Sequence, residues 1–190
     1  LGNVWTNPGE IAGNGIDDDG NGFIDDEHGW NFANNTNDPT GNTATPQCAA
    51  HGTHVAGTAA GVTNNGVGVS SISWNCSYMP VNAAHPSIDW SISHGYEAIT
   101  YAAVNGADIV NCSWGSLGGA SSFEQDVIDF AYANGTLVVA AAGNDQNNND
   151  VTQHYPSGYQ HVLSVGAINK SNDGIAWFTN YGVSVNFFAP

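Results

Sequence analysis

Residues 108–142, DIVNCSWGSLGGASSFEQDVIDFAYANGTLVVAAA, decide the fold. The run 136–142 is apolar, the run 108–113 is predicted to be a buried strand, and both have the length of strands. Between them, apolar residues recur at helical spacing, and an Asn-Gly pair ends the helix. These positions are Phe123, Val127, Phe130 and Ala131, followed by Asn134-Gly135. Two nearly continuous apolar strands joined by a helix predict a parallel β-α-β unit.

Further elements flank this unit in the sequence. A helix is predicted from His51 to Val62, and a second helix over residues 88–103, where apolar residues step by three or four. Strand candidates lie at residues 77–84 and 161–169. Alternating strands and helices predict an α/β fold of three layers, a mostly parallel sheet with helices on both faces.

The first fifty residues differ from the rest. They are rich in Gly, Asn, Asp and Pro and show no sustained period, which predicts a long loop-like region. We therefore expect one domain over residues 1–190, with a loop region at 1–50 and an α/β core at 51–190. Because the chain starts at Leu1 without Met and stops at Pro190 directly after an apolar run, we expect this domain to be truncated at both ends.

The charge balance excludes some partners. Seventeen acids face a single base, Lys170, and the formal net charge is −16. Nucleic acid is an unsuitable partner, because phosphate binding needs clustered Lys and Arg. No apolar run approaches the roughly 18 residues of a membrane span, so we expect no membrane partner. Many acids cluster between Glu10 and Glu27, which favours a cation site over a solvated acidic tail.

The segment HGTHVAGT, residues 51–58, carries two histidines one helical turn apart. Three interpretations are open from the residues alone: His51 as a general base, His51 and His54 as a metal pair, or two histidines that cap and pack. The metal pair lacks the glutamate of an HExxH motif.

Three blocks in order resemble the subtilisin-like serine peptidases: HGTHVAGT at 51–58, VNCSWG at 110–115 and VVAAAGN at 138–144. The segments YPS at 155–157, HVLSVGA at 161–167 and FAP at 188–190 are also similar to family segments. The resemblance implies that His51 is the general base, that His54 is structural, and that the side-chain amide of Asn144 stabilises the oxyanion.

The same resemblance implies the substrate-binding residues. The segment Ser113, Trp114 and Gly115 is expected to line the cleft and pair with an extended peptide, while Ala142 and Gly143 border the first specificity pocket. Small residues there predict room for a bulky apolar or aromatic side chain before the cleaved bond. The expected partner is a protein or peptide substrate, and a monomer is expected.

The family's aspartate and serine motifs are missing. None of Asp-Thr-Gly, Asp-Ser-Gly or Gly-Thr-Ser occurs in the 190 residues, so this chain alone is expected to be inactive. Ser113 is a poor substitute nucleophile because its block is similar to a cleft-lining segment. Two hypotheses remain: a serine endopeptidase that works through an acyl-enzyme, and a non-catalytic, calcium-stabilised peptide-binding homologue.

Residues 17–25, DDDGNGFID, fit the first nine positions of a calcium loop, with glycine at the sixth. Position twelve is His28 instead of glutamate, so a regular EF-hand is not expected, and an acidic solvated turn is the alternative. The ligands expected are the side chains of Asp17, Asp19, Asn21 and Asp26 and the carbonyl of Phe23. Many subtilisin-like enzymes have a similar insertion, which supports a structural calcium ion.

Three cysteines, Cys48, Cys76 and Cys112, form no zinc-type spacing. Either all three are reduced, or one disulfide and one free thiol form, with Cys48 to Cys76 as a guess for the pair. A structural calcium site and an acidic surface suit a secreted protein, so an extracellular location is expected.

Overall fold

The structure, a computed structural model, describes residues 2–41, 45–171 and 174–190. The chain forms two compact units, Leu1–Ala98 and Ile99–Pro190. The single domain with an internal boundary at residue 50 stays a prediction. No helix among the described residues is both long enough and apolar enough to cross a membrane.

The second unit is built on a parallel sheet. Its elements are β3 (Ile109–Cys112), β4 (Ser116–Leu117), α3 (Ser122–Ala133), β5 (Leu137–Ala141), β6 (His154–Tyr155), β7 (Val162–Ala167) and β8 (Phe187–Ala189). The four-stranded sheet has the order β3-β5-β7-β8, and every neighbouring pair is parallel. A separate antiparallel pair joins β4 and β6. The predicted α/β fold with a mostly parallel sheet is confirmed.

The sequence of helix α3 explains where this helix begins and ends. Ser121 is its N-cap, and the Ser121 side chain accepts a hydrogen bond from the backbone N–H of Glu124, at 3.4 Å. Gly135, with φ +87°, follows the helix, as the Asn-Gly signal predicts. The buried face consists of Ile128 and Ala131, whereas Phe123 is 68% exposed. The predicted helix is correct, but its buried face is narrower than the spacing indicates.

The first unit contains little regular structure. Its elements are β1 (Trp30–Asn31), α1 (Pro46–Ala60), β2 (Val81–Asn82) and the first turn of α2 (Gly95–Val104), a helix that continues into the second unit. Strands β1 and β2 pair in parallel. The predicted loop region over residues 1–50 therefore includes one short strand and the start of a helix, and the strand candidate at 77–84 is reduced to two residues.

Both helix starts in this part of the chain differ from the prediction. Helix α1 begins at Pro46, since the fixed φ of proline suits the first helical position, so His51 lies in the second turn and not at the helix start. Helix α2 begins at Gly95 instead of residue 88. The preceding residues form a turn in which the His85 N–H donates to the Ser91 carbonyl at 2.7 Å, and Trp90 has φ +60°.

All three cysteines are free thiols, which agrees with the alternative of three reduced cysteines and not with the guessed Cys48–Cys76 disulfide. The Sγ of Cys48 instead accepts a hydrogen bond from the Trp90 N–H at 3.0 Å, and Cys76 is exposed. Cys112 is buried, and this burial raises the pKa of its thiol to about 12. Cys112 therefore stays protonated and acts as a small apolar side chain.

Candidate active site

His51 lies exposed on α1, and its ring is 5.9 Å from the ring of Trp90, in an edge-to-face arrangement. The helix that carries it is capped from a distant point in the chain. Asp89 accepts hydrogen bonds from the backbone N–H groups of Gln47, at 3.2 Å, and Cys48, at 3.0 Å. These two groups belong to the first turn of α1, where N–H groups have no partner within the helix. Asp89 thus anchors the helix that presents His51.

The charge state of Asp89 follows from these bonds. Burial raises the pKa of its carboxyl, but the hydrogen bonds from the backbone of Cys48 and Gln47 outweigh that effect. The pKa of Asp89 therefore lies below its ordinary value, and the carboxylate is charged at neutral pH. A negative charge at a helix N-terminus also interacts favourably with the helix dipole.

The metal-pair interpretation of the histidines gains no support. In the part of the chain that the structure describes, neither His51 nor His54 belongs to a group of three metal-ligating side chains. His54 is exposed, and its carbonyl accepts a hydrogen bond from the Thr58 hydroxyl at 3.0 Å. General base and structural residue remain the alternatives for His51.

Asn144 lies in the second unit, in the loop that follows β5. Ala142 is buried and Gly143 has φ +109°, a conformation that glycine adopts without strain. Asn144 is exposed, and none of the described residues forms a hydrogen bond with its side-chain amide. The loop borders a cavity of about 170 Å³ at the carboxyl ends of the parallel strands. The residues lining the cavity are Ala141, Ala142, Gly143, Asn144, Val165, Gly166, Ala167, Thr179, Ala189 and Pro190.

Asn180 fixes this loop and was not predicted from the sequence. Its side chain is fully buried, and its Oδ1 accepts hydrogen bonds from the N–H groups of Asp145, at 2.7 Å, and Asn147, at 3.1 Å. Its Nδ2 donates to the carbonyl of Ala142 at 2.9 Å, and its own N–H donates to the carbonyl of Gly143 at 2.9 Å. The backbone on both sides of Asn144 is therefore held by one residue, whose role no sequence motif indicates.

The two predicted substrate-binding segments meet at a third residue, His154. Gly115 follows β3, and a methyl group on it would lie 2.3 Å from Cε1 of His154. A methyl group on Gly143 would lie 2.9 Å from Cδ2 of the same ring. The nearby Trp114 and Ser113 are half-buried, and the Ser113 hydroxyl accepts a hydrogen bond from Asn111 at 2.8 Å. The imidazole of His154 therefore lies against both glycines, and the preference for a bulky side chain stays a prediction.

The acidic loop of the first unit is ordered around Asp17. One of its carboxylate oxygens accepts hydrogen bonds from the N–H groups of Gly20, at 2.7 Å, and Asn21, at 3.1 Å. The other accepts from Gly22 at 2.9 Å. Gly20 and Gly22 have φ of +73° and +96°, so these tight turns need glycine. The Asp17 carboxylate is thus engaged with loop backbone.

A group of carboxylates lies in the same loop region. Oxygens of Glu10, Asp19 and Asp26 lie within 4.8 Å of one another, and Asp26 is fully buried. Asp26 accepts hydrogen bonds from the side-chain amides of Asn7, at 2.9 Å, and Asn21, at 3.1 Å. Two predicted ligands, Asp19 and Asp26, are therefore brought together, and Glu10 joins them although the loop motif does not include it.

The other predicted ligands make different contacts. Oδ1 of Asn21 accepts a hydrogen bond from the Phe23 N–H at 2.8 Å. The ring of Phe23 packs edge to face against Trp30, with ring centroids 5.0 Å apart, and against Phe32. Phe23 thus anchors the loop by its side chain, and its carbonyl as a calcium ligand stays a prediction.

The cavity beside Gly143 and Asn144 lies at the carboxyl ends of the parallel strands, which is where open α/β sheets bind their ligands. Comparison with known proteins gives the family. Residues 10–190 match the Subtilase family of S8 peptidases, and the chain belongs to that family.

Similar proteins agree with this membership. Over 162 residues the chain is 36% identical to the thermophilic serine proteinase of Bacillus sp. (strain AK1), a match that covers 85% of this chain and 38% of that relative. It is 35% identical to thermitase of Thermoactinomyces vulgaris, over 85% of this chain and 54% of that relative. The chain thus spans about half the length, or less, of the curated relatives it matches.

Solved structures of proteases are also similar to this chain. A protease from Pseudoalteromonas arctica PAMC 21717 is 34% identical, with a TM-score of 0.69 over 80% of this chain and 49% of that one. The protease domain of PatA, as an S218A mutant, is 29% identical, with a TM-score of 0.65 over 75% of this chain and 52% of that one.

Proposed function

We propose that this chain carries half of the catalytic machinery of a serine endopeptidase. His51 takes the proton of the nucleophilic serine as it attacks the peptide carbonyl and then delivers that proton to the leaving amine. Asn144 donates a hydrogen bond from its side-chain amide to the oxygen that becomes negative. The acyl-enzyme formed on the serine is then hydrolysed by water. Family membership and the names of serine peptidase relatives support this proposal.

One observation carries the assignment of Asn144. Its side-chain amide is exposed at the cavity and has no hydrogen-bond partner among the described residues, while Asn180 holds the backbone on either side of it. A donor whose backbone is held in place and whose amide hydrogens are not used elsewhere can donate to the oxyanion as it forms. The general-base role of His51 rests on the family motif and on its exposed position on α1.

The nucleophilic serine and its partner aspartate are not assigned to residues of this chain, because neither family motif occurs in it. The 190 residues alone are therefore expected to hydrolyse nothing. The test uses the full-length protein with an unfolded protein substrate and a serine-directed fluorophosphonate. Hydrolysis and labelling are expected, and Asn144→Ala lowers kcat about 10²- to 10³-fold, the magnitude known for such a donor in a subtilisin. Peptide binding without hydrolysis or labelling would establish the non-catalytic alternative.

We further propose that the acidic loop binds a structural calcium ion through Glu10, Asp19 and Asp26. Three carboxylates within 4.8 Å repel one another, and the only Lys or Arg of the chain is Lys170, far along the sequence. Carboxylate and carbonyl oxygens are the ligands that calcium prefers, and the Phe23 carbonyl is a further ligand in this proposal. Calorimetric titration with calcium tests it: Glu10→Gln weakens binding, whereas Glu124→Gln in the second unit leaves it unchanged. Equal binding by both variants would overturn the ligand set.

We propose that the protein is secreted. Relatives from Dichelobacter nodosus and Xanthomonas campestris are named as extracellular proteases, at 39% and 35% identity. Extracellular fluid also supplies the calcium that the acidic loop requires. Immunodetection in culture medium against cell lysate checks this location, and protein retained in the cells would refute it.

A further inference from the structure

Five Asn-Gly pairs occur in the chain, and one of them differs from the rest in its hydrogen bonds. The pairs begin at Asn14, Asn21, Asn65, Asn105 and Asn134. In such a pair the backbone nitrogen of the glycine can attack the side-chain amide of the asparagine, because glycine has no side chain to block the approach. The attack is slowed where the glycine N–H donates a hydrogen bond, because that bond must first be broken. The hydrogen bonds of the folded chain therefore decide which pair reacts.

In four of the pairs the glycine N–H donates a hydrogen bond. Gly15 and Gly22 donate to carboxylates of the acidic loop, each at 2.9 Å. Gly106 and Gly135 donate to carbonyls in the last turns of α2 and α3, at 3.3 Å and 3.0 Å. Gly66 is exposed, and its N–H donates no hydrogen bond to any of the described residues. The nitrogen of Gly66 is therefore open to water and available as a nucleophile.

The side chain of Asn65 also favours the attack. Its Oδ1 accepts a hydrogen bond from the N–H of Val67 at 3.0 Å, and this donor stabilises the negative charge that Oδ1 gains when Cγ is attacked. The Nδ2 atoms of the four other asparagines all donate hydrogen bonds of 2.8–3.1 Å, which hold those side chains in place. Nδ2 of Asn65 donates none to the described residues, so this side chain can rotate until Cγ meets the Gly66 nitrogen.

We propose that Asn65 is a site of spontaneous deamidation. The nitrogen of Gly66 loses its proton to hydroxide and forms a bond to Cγ of Asn65, and the Cγ–Nδ2 bond breaks as Nδ2 takes up a proton and leaves as ammonia. Water then opens the succinimide ring. Addition of water at Cγ breaks the bond to the Gly66 nitrogen and gives aspartate. Addition at the backbone carbonyl carbon gives isoaspartate, in which the main chain runs through Cγ. No group is oxidised or reduced.

The reaction changes the loop that follows α1, the helix that carries His51. This loop is closed at its base by the Ser71 N–H, which donates to the Gly61 carbonyl at 3.4 Å. The product adds a negative charge to a unit, residues 1–98, that contains no Lys or Arg. Isoaspartate also lengthens the main chain by one carbon atom. The inference is independent of the proposed function, because it depends on no catalytic or calcium-binding residue.

Peptide mapping by mass spectrometry, after incubation of the full-length protein in mildly alkaline buffer, measures the conversion at all five asparagines. In the folded protein Asn65 is expected to convert about tenfold faster than each of the others, a factor that the loss of one or two hydrogen bonds accounts for. In denaturant all five are expected to convert at similar rates. Another pair that reacts as fast as Asn65 in the folded protein overturns the proposal. A tenfold difference that persists in denaturant overturns its structural basis.

The variant Asp25→Gly creates the same condition at a second pair. Asp25 accepts the hydrogen bond of the Gly15 N–H and has φ +53°, which glycine tolerates, so its loss should accelerate conversion of Asn14 up to about tenfold. Asn21 lies in the same loop and should keep its slow rate. His161→Gly, at φ +63° in the second unit, is the matched control and should change neither rate. No acceleration at Asn14, or equal acceleration at Asn21, overturns the protective role of the glycine hydrogen bond.

Discussion

At the scale of single residues, the most informative side chain is Asn180. It is buried and forms hydrogen bonds with the backbone of residues that precede and follow Asn144. An oxyanion donor works through its position, and a displacement of about 1 Å can lower a rate about 10²-fold. In the proposed role of Asn144 as that donor, Asn180 is a positioning residue that acts through the loop.

Replacing Asn180 tests this role. Asn180→Ala leaves the N–H groups of Asp145 and Asn147 without their acceptor, so the loop relaxes and kcat falls about 10- to 100-fold while KM changes little. The lost bonds also lower the free energy of unfolding by about 1–3 kcal/mol. Steady-state kinetics and denaturant unfolding measure both effects.

The control variant is Asn186→Ala, which removes the hydrogen bond from the Ser164 N–H to Asn186 in the same unit. It is expected to lower stability while leaving kcat near the wild-type value. If the two variants lower kcat to the same degree, Asn180 has no special role in positioning Asn144.

Sequence patterns identify residues with a direct chemical role more reliably than they identify the residues that hold those residues in position. His51 and Asn144 come from motifs, and their roles stay predictions. His154 lies against Gly115, 39 residues earlier in the sequence, and Asn180 forms hydrogen bonds with the carbonyls of Ala142 and Gly143, 38 and 37 residues earlier. Such contacts exist only after folding, so no local pattern marks these two residues.

At the scale of elements, the strands were easier to predict than the helix ends. Strands β3, β5 and β7 follow from short, mainly apolar runs. The start of α1 was missed although Pro46 is a local signal for the first helical position, while the side chain that caps the helix, Asp89, lies 43 residues after Pro46. Helix α2 was predicted to begin at residue 88 because apolar residues recur at helical spacing there. The residues before Gly95 instead form a turn.

The cap on α1 predicts a dependence of local stability on pH. The pKa of Asp89 is lowered in the folded protein, so its contribution is present above the unfolded pKa of about 3.9 and is lost as pH falls through the folded value. Asp89→Ala is expected to speed amide hydrogen exchange at Gln47 and Cys48 near pH 7. The difference from wild type should shrink below pH 4.

Asp150→Ala is the matched control, because Asp150 accepts hydrogen bonds from the N–H groups of Val183 and Ser184, and these bonds lower its pKa. Its effect on hydrogen exchange should be confined to that second-unit loop. Faster exchange at Gln47 and Cys48 in the Asp150 variant, or none in the Asp89 variant, would refute the cap.

At the scale of the whole molecule, the net charge of −16 lowers stability through repulsion between carboxylates. With one Lys and no Arg, the carboxylates of the first unit have no basic side chain to neutralise them apart from histidine. The composition predicted a cation site, and the loop motif predicted its place. Glu10 joins the carboxylates of Asp19 and Asp26, but the motif does not indicate it because it lies seven residues before the motif, outside any standard spacing.

Removal of calcium should therefore destabilise the first unit selectively. A ligand at about 100 times its Kd adds about 2.7 kcal/mol of stability, which for a chain of this size corresponds to a fall in Tm of roughly 5–10 °C on chelation. Calorimetry gives the Tm, and limited proteolysis should show new cleavage within residues 2–41 while Ile99–Pro190 stays resistant.

Added calcium should restore both the Tm and the resistance to proteolysis. Magnesium should not, because its octahedral geometry fits a carboxylate cage poorly. In Asp26→Asn, which removes the buried charge, chelation should no longer shift the Tm; a full shift in this variant would mean that calcium stabilises the protein elsewhere.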